Sequence, residues 1–243
     1  MLKTFITDTG LPVPAVTADE MRRVDRLATE ETGPDLFQMM ENAGRNLAEA
    51  ALARLGPEWK RAKVAVLAGA GGNGGGGICA ARHLANRGME VWLCLAAPDR
   101  LREMAAWQRH VFRATPGREV DREMIRGWRA DLVLDALLGY GLKGPPAGCF
   151  AELIRWANSA GAPILSLDVP SGIEATTGEA PGEWVRAAET VTLALPKTGL
   201  TPERSGRLLL ADVGIPPETF RRAGIDYRAP FDERYLVPLQ VLD

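Results

Sequence analysis

Short apolar runs recur along this chain, and three of them stop abruptly at glycine or just past an acid. Lys63-Val64-Ala65-Val66-Leu67-Ala68 runs into a glycine tract, and the run from Asp131 to Leu138 stops at Gly139. Pro163-Ile164-Leu165-Ser166-Leu167-Asp168-Val169 stops at Pro170-Ser171-Gly172. Runs this short, apolar at odd and even positions alike, read as strands buried on both faces, the habit of a parallel sheet. Residues 90–95, 189–195 and 207–213 read as three more. Helical spacing fills intervals at 78–87, 101–113 and 150–160. Strands alternating with helices point to an α/β fold with helices on both faces of a parallel sheet and right-handed crossovers.

Two helices precede the first strand. Thr17-Ala18-Asp19-Glu20 reads as a capping box, followed by Met21, Val24, Leu27 and Ala28 at helical spacing. Gly33-Pro34 breaks that pattern. A second helix is predicted over 35–55, with Leu36, Met39, Met40, Ala43, Leu47, Ala50 and Ala51 on one face. The tail after Pro216 is rich in Arg and Pro and weakly patterned, and residues 218–226 read as a solvated face. With no repeat and no linker, the chain reads as a single domain over 1–243, its core at about 18–217.

Composition excludes several classes. The 243 residues are 46% hydrophobic and 25% charged, with 29 basic and 31 acidic side chains and a net charge of −2. That is too apolar for disorder and gives no electrostatic case for nucleic acid or an anionic membrane. No run approaches the ~18 apolar residues of a membrane span. Met1-Leu2-Lys3-Thr4-Phe5 lacks the apolar core of a leader peptide. Cys79, Cys94 and Cys149 are odd in number and far apart, which speaks against a disulfide framework or a zinc site. Reduced thiols and a cytoplasmic location are expected. His83 and His110 sit in helical segments without a nucleophile beside them and read as structural or surface residues.

Open parallel sheets bind ligands at the carboxyl ends of their strands. After the first strand, seven of the nine residues Gly69 to Gly77 are glycine. A turn so poor in side chains exposes its amides and opens a helix, which suits phosphate; a flexible turn is the plainer alternative. Gly69, Gly71 and Gly74 match G-x-G-x-x-G, but the acid that a dinucleotide fingerprint places at the end of the second strand is missing, with Asp99 just beyond. No Gly-Lys-Ser/Thr phosphate loop and no G-x-S-x-G elbow occur. Asp135 ends an apolar strand, where a carboxylate is either a satisfied turn cap or in need of a cation. Lys143, in the turn that follows, is either a ligand contact or a solvated charge. Asp168 and Ser171 leave the next strand. Asn73, Asp135, Asp168 and Ser171 thus converge on one rim with hard oxygen ligands, which suit potassium, sodium or magnesium better than zinc or iron.

These motifs resemble those of the NAD(P)H-hydrate epimerase family, the N-terminal domain of bacterial YjeF proteins. The family's G-x-G-N-N-G-G-D-G loop and A-R-H-L are similar to Gly69 to Gly77 and Ala81-Arg82-His83-Leu84. Its D-A-L-[LF]-G-x-G and D-[VI]-P-S-G are similar to Asp135 to Gly141 and Asp168 to Gly172. Met39 to Arg45, Ala194-Leu195-Pro196-Lys197 and Asp212 to Pro216 extend the match in order. The resemblance implies a Rossmann-like three-layer α/β/α sandwich with a mainly parallel sheet, forming a homodimer. It implies epimerisation at C6 of the hydrated nicotinamide of NADHX and NADPHX. It would place the dinucleotide against Gly72, Asn73, Gly74, Gly75 and Gly76 and against Gly139, Tyr140, Gly141, Leu142, Lys143, Gly144 and Pro145. Asp168 would lie near the reacting ring as acid/base, Lys143 would orient a phosphate or a water, and Asn73, Asp135 and Ser171 would ligate a potassium ion. Two positions depart from the hallmark: Gly72 stands for Asn, and Gly76 stands for Asp. The lost carboxylate at Gly76 is expected to weaken ligand orientation or abolish catalysis. The hydrate dehydratase fused to many bacterial members is not expected in the short remainder after Pro216. Two alternatives are a non-catalytic dinucleotide-like binding or dimeric interaction module, and an NAD(P)-dependent oxidoreductase, which the missing second-strand acid disfavours.

Overall fold

The computed structural model describes residues 4–242; Met1 to Lys3 of the segment read for a leader lie outside them. The chain opens with β1 (Thr4–Thr7) and β2 (Pro12–Val13), then helices α1 (Ala18–Leu27) and α2 (Leu36–Leu55). Next come β3 (Lys63–Ala68), α3 (Gly72–Ala85), β4 (Glu90–Leu95), α4 (Glu103–Phe112), β5 (Arg118–Val120) and α5 (Arg122–Arg126). Then follow β6 (Leu132–Ala136), α6 (Cys149–Ser159), β7 (Ile164–Leu167), β8 (Glu189–Leu193), α7 (Pro202–Ser205), β9 (Arg207–Ala211), α8 (Pro217–Arg222) and β10 (Leu236–Leu242).

All the strands join one sheet in the order β2-β1-β10-β9-β8-β7-β6-β3-β4-β5. From β9 to β5 every pairing is parallel; β10, β1 and β2 add an antiparallel flank. Alternation along β3 builds the layers. Val64, Val66 and Ala68 pack with Leu47 of α2 and Ile78 and Leu84 of α3, whereas Ala65 and Leu67 pack with Leu153 and Ile154 of α6. Both faces are covered by apolar helix surfaces, so this is the expected three-layer sandwich.

The predicted capping box is present. Thr17 Oγ1 accepts from Glu20 N at 3.2 Å, and Glu20 Oε2 accepts from Thr17 N at 2.7 Å. Asp35 and Gln38 cap α2 in the same reciprocal way. The flank was not legible. β10 carries Pro238, paired opposite Leu209, in a strand with neighbours on both sides, a position where proline is uncommon. β5 and α5 also went unread. Four arginines toward the end of the chain are tied down: Arg222 reaches Glu31 and Glu218, Arg221 reaches Glu218, Arg207 reaches Glu189, and Arg204 donates to the carbonyl of Gly178.

The largest correction concerns the glycine tract. Only Gly69 to Gly71 connect strand to helix: α3 begins at Gly72, six residues before the predicted start at Ile78. Glycine disfavours helix by roughly 1 kcal/mol per residue relative to alanine, so packing must impose this one. A Cβ at Gly74 would lie 1.9 Å from Gly69 O, and one at Gly77 would lie 2.3 Å from the Ala136 Cβ. At Gly74 and Gly77 helix α3 is therefore pressed against the sheet and its loop at distances that exclude a side chain. The neighbouring helix shares the constraint, since a Cβ at Gly44 of α2 would lie 2.4 Å from Cys79.

A polar clasp locks α2 to α3. His83 Nε2 lies 2.8 Å from Glu41 Oε1, and Arg82 Nη2 donates to both Glu41 oxygens. Burial acts against the Glu41 carboxylate, yet the bonds from Arg82, His83 and Cys79 hold its pKa at about 2. Burial also pushes the Cys79 thiol up to about 12. Glu41, Cys79 and His83 are close enough together to suggest a metal site. The Arg82 guanidinium already meets the carboxylate, so in this structure the three side chains, with Arg82, act as a clasp between the two helices.

Candidate active site

A cleft of about 690 Å³ opens above the carboxyl ends of β3, β6, β7 and β8, closed on one side by α1 and α2. Its floor is set by two neighbouring strand ends of unusual shape. Asp168 follows β7 with φ +69°, and Ala194 follows β8 with φ +60°. In each case the carbonyl before the residue accepts from the amide after it, Leu167 O from Val169 N at 2.9 Å and Leu193 O from Leu195 N at 2.7 Å. Tight three-residue turns centred on left-handed non-glycine residues are strained, and such strain gathers at functional sites.

The strain brings a lysine and an acid together. Lys197 is completely buried, and its Nζ donates to the Leu193 carbonyl at 2.9 Å while pairing directly with Asp168 Oδ1. The other oxygen of Asp168 accepts the Tyr140 amide at 2.9 Å. The Tyr140 hydroxyl donates to Asp25 of α1, and Lys197 Nζ lies 5.9 Å from the centre of the Tyr140 ring. Burial raises the Asp25 carboxyl above its ordinary value, and burial followed by the Asp25 charge raises the Tyr140 phenol. Gly139 makes this approach possible, because a Cβ there would lie 2.8 Å from Asp168 Oδ2 and 3.2 Å from Asn73 Oδ1.

Asp135 lies directly below and is fully buried. It accepts from Ser171 Oγ at 2.6 Å, Ser171 N at 2.9 Å, Ser166 Oγ at 2.8 Å and Leu137 N at 3.2 Å. Every donor is neutral, and burial raises the Asp135 pKa. Both amide atoms of Asn73 are buried without a hydrogen-bond partner.

The structure sorts the sequence-predicted residues. Gly72, Asn73, Gly139, Tyr140, Gly141, Leu142, Lys143 and Asp168 line the cleft. Gly74, Gly75, Gly76, Gly144 and Pro145 do not. Gly75 already donates its amide to Gly71 O at 2.9 Å. A Cβ at Gly76 would meet Leu167 Cδ2 at 2.8 Å, so this departure from the hallmark lies under a cleft residue, not in the cleft wall. Helix α3 starts at the cleft, with Gly71, Gly72 and Asn73 in its lining and no side chain capping the first amides, and a helix start of this kind favours anions. Lys143 is exposed on the rim, and the lysine in contact with Asp168 is Lys197. Asp168 therefore drops out of the cation constellation read from the rim, its charge being met by Lys197. Sequence reasoning missed Lys197, Asp25, Arg22 and Arg102, all of which line the cleft. Lys197 had a usable signal: it follows the apolar run of β8 at the same sheet edge as Asp135 and Asp168. Asp25 sits beside the apolar stripe of α1 and gave none.

Taken together, a doubly wound sheet, a helix start stripped of side chains and a strained, acid-lined rim define a Rossmann-like α/β protein with a ligand cleft at its strand ends. The chain belongs to the family described as YjeF-related protein N-terminus, which matches residues 36–199. It is 52% identical over 98% of its length, and 98% of the relative's, to an NAD(P)H-hydrate epimerase of Dehalogenimonas lykanthroporepellens. It is 36% identical to one from Rhodopirellula baltica, covering 88% of this chain and 90% of that protein. A bifunctional NAD(P)H-hydrate repair enzyme of Hyperthermus butylicus is 40% identical over 84% of this chain, which spans 39% of that longer protein. The crystal structure of the yeast protein ynu0 shares the fold, with a TM-score of 0.81 at 22% identity, covering 93% of this chain and all of that one. No helix among the described residues is long and apolar enough to cross a membrane.

Proposed function

We propose that this protein is an NAD(P)H-hydrate epimerase, an isomerase that interconverts the R and S forms of NADHX and NADPHX at C6 of the hydrated nicotinamide. The observation that carries the reading is the buried Lys197–Asp168 pair at the floor of a cleft whose wall is the open start of α3. The amides at that helix start suit the substrate's phosphates. Gly72 and Asn73 on one wall and the turn from Gly139 to Lys143 on the other flank the dinucleotide, leaving its ring over Asp168. Loss of the C6 hydroxyl to a flat iminium places positive charge beside a carboxylate, and the departing oxygen needs a proton, which Lys197 or Asp168 supplies. Lys143, on the rim, serves the substrate's outer charges, and a homodimer in the cytoplasm is the setting the family resemblance implies.

A coupled assay tests this. An S-specific hydrate dehydratase consumes the S epimer of an NADHX mixture and leaves the R epimer to drain by spontaneous epimerisation. Adding this protein is expected to accelerate the slow phase in proportion to its concentration. A slow phase indifferent to the folded protein would favour a non-catalytic binding module instead.

A potassium ion is included in the proposal. Asp135 is a carboxyl group buried among neutral donors, where burial works against its charge unless a cation meets it, and Asn73 offers a buried amide oxygen with no partner, so the residues present fit a monovalent cation of hard-ligand preference. Asn73, Asp135 and Ser171 would hold it, and it would fix the loops after β3, β6 and β7. Thermal unfolding in potassium chloride is expected to lie a few degrees above that in tetramethylammonium chloride, as binding to the folded state alone requires. Asn73→Ala should abolish the difference while leaving the tetramethylammonium midpoint unchanged. Equal midpoints for the parent protein in both salts would remove the ion from the proposal.

A further inference from the structure

Tyr140 holds a carboxylate at each of its ends. Its amide donates to Asp168, and its hydroxyl donates to Asp25. Asp168 is ion-paired with Lys197, while Asp25 forms no ion pair among the described residues and has the phenol as its side-chain partner. Both carboxylates line the same cleft, with the Lys197 ammonium over the ring between them. One pair would be enough to expel a hydroxyl and put it back where it was. Inversion asks for more, because the oxygen leaves from one face of the ring and a new one arrives on the other, and each face needs its own proton carrier within hydrogen-bond reach.

Resting on the epimerase reading above, we infer that the site uses two proton-handling pairs, Lys197–Asp168 and Tyr140–Asp25, one for the hydroxyl that leaves and one for the water that returns on the opposite face. In one direction the C6–O bond breaks with its electron pair going to oxygen. The N1 lone pair forms the C6–N1 double bond, and the oxygen takes a proton from Lys197 and departs as water. A water on the other face then bonds to C6, and the double-bond electrons return to N1. That water's proton passes to the phenol oxygen as the phenol proton passes to Asp25. One proton has left Lys197 and one has arrived on Asp25; the reverse turnover or exchange with solvent restores both. Tyr140 touches the reacting water, and Asp25 acts through it. The burial that raises the Asp25 carboxyl makes it able to hold that proton and give it back.

Oxygen-18 separates the two faces. Pure R-NADHX is incubated with enzyme in labelled water, the epimers are resolved by chromatography, and label at the C6 hydroxyl is read by mass spectrometry in each. The parent protein should place label in the S epimer. Tyr140→Phe keeps the amide bond to Asp168, and Asp25→Asn keeps an acceptor for the phenol. In both, formation of the S epimer should fall by ~30-fold or more, while label continues to enter the R epimer within ~3-fold of the parent rate, since loss and return on the Lys197–Asp168 face survive. Unchanged inversion in both variants, or inversion and labelling that fall together in folded protein, would overturn the two-pair arrangement. Inversion by the parent protein with no label in the S epimer would overturn it too, leaving the epimerase reading intact. A parent protein that neither inverts nor labels would instead defeat the epimerase reading itself.

Discussion

Asp168→Asn is expected to lower epimerase turnover by ~100-fold or more, the usual loss when a general acid–base group is removed. The same change leaves Lys197 as a buried ammonium with a carbonyl and a neutral amide for company. Stranding a buried charge in this way costs about 3–5 kcal/mol. The two effects can be separated. Lys197→Met in the Asp168→Asn background removes the stranded charge and should recover most of the lost stability in urea titrations. Activity should remain at the level of the single variant. An Asp168→Asn protein with parental turnover would remove Asp168 from the chemistry, whereas a double variant as unstable as the single one would mean that the pair does not form.

The second large effect is on folding and concerns two glycines two residues apart. Gly74→Ala drives a methyl group to within 1.9 Å of the Gly69 carbonyl oxygen, a backbone atom with no rotamer to escape into. Overpacking of this kind costs ~1–3 kcal/mol where side chains can shift and more where only backbone can, so the variant should unfold at clearly lower denaturant or not fold at all. Gly72→Ala, in the same turn of α3, meets nothing within 4 Å. It should be neutral or stabilising by ~0.4–1 kcal/mol, because alanine narrows the unfolded ensemble and suits a helix. A simple reading of the tract as a flexible turn predicts two similar outcomes. Opposite signs in urea denaturation distinguish the helix.

The same two glycines mark where sequence reasoning stops. The parallel sheet was legible because β3, β6 and β7 are short, doubly apolar runs, and the rim followed because each ends in a residue an apolar strand does not otherwise carry. The lack of side chains then argued for a turn with exposed amides, and only the contacts of Gly74 with Gly69 and of Gly77 with Ala136 reveal that proximity, not flexibility, selects glycine at those positions. β10 was hidden in a different way. Its pairing partners β1 and β9 are more than 200 and about 30 residues away along the chain, and the tail that carries it is weakly patterned. At the site, the reasoning that picked Asp135 and Asp168 applies equally to Lys197, a lone charge after β8. Nothing in the order of residues says that it, and not Lys143, turns inward; the left-handed backbone at Ala194 decides that.

The antiparallel flank has a mechanical side. β1 and β10 pair with Thr4 opposite Leu242, so the two ends of the described chain leave the sheet at the same point. A tether pulling on both ends loads this ladder from one end, like the halves of a zip, and its hydrogen bonds break in succession instead of sharing the load as they would in shear. Under tension the molecule should therefore yield first by peeling β1 from β10, at low force, with β7, β8 and the cleft at their ends still folded.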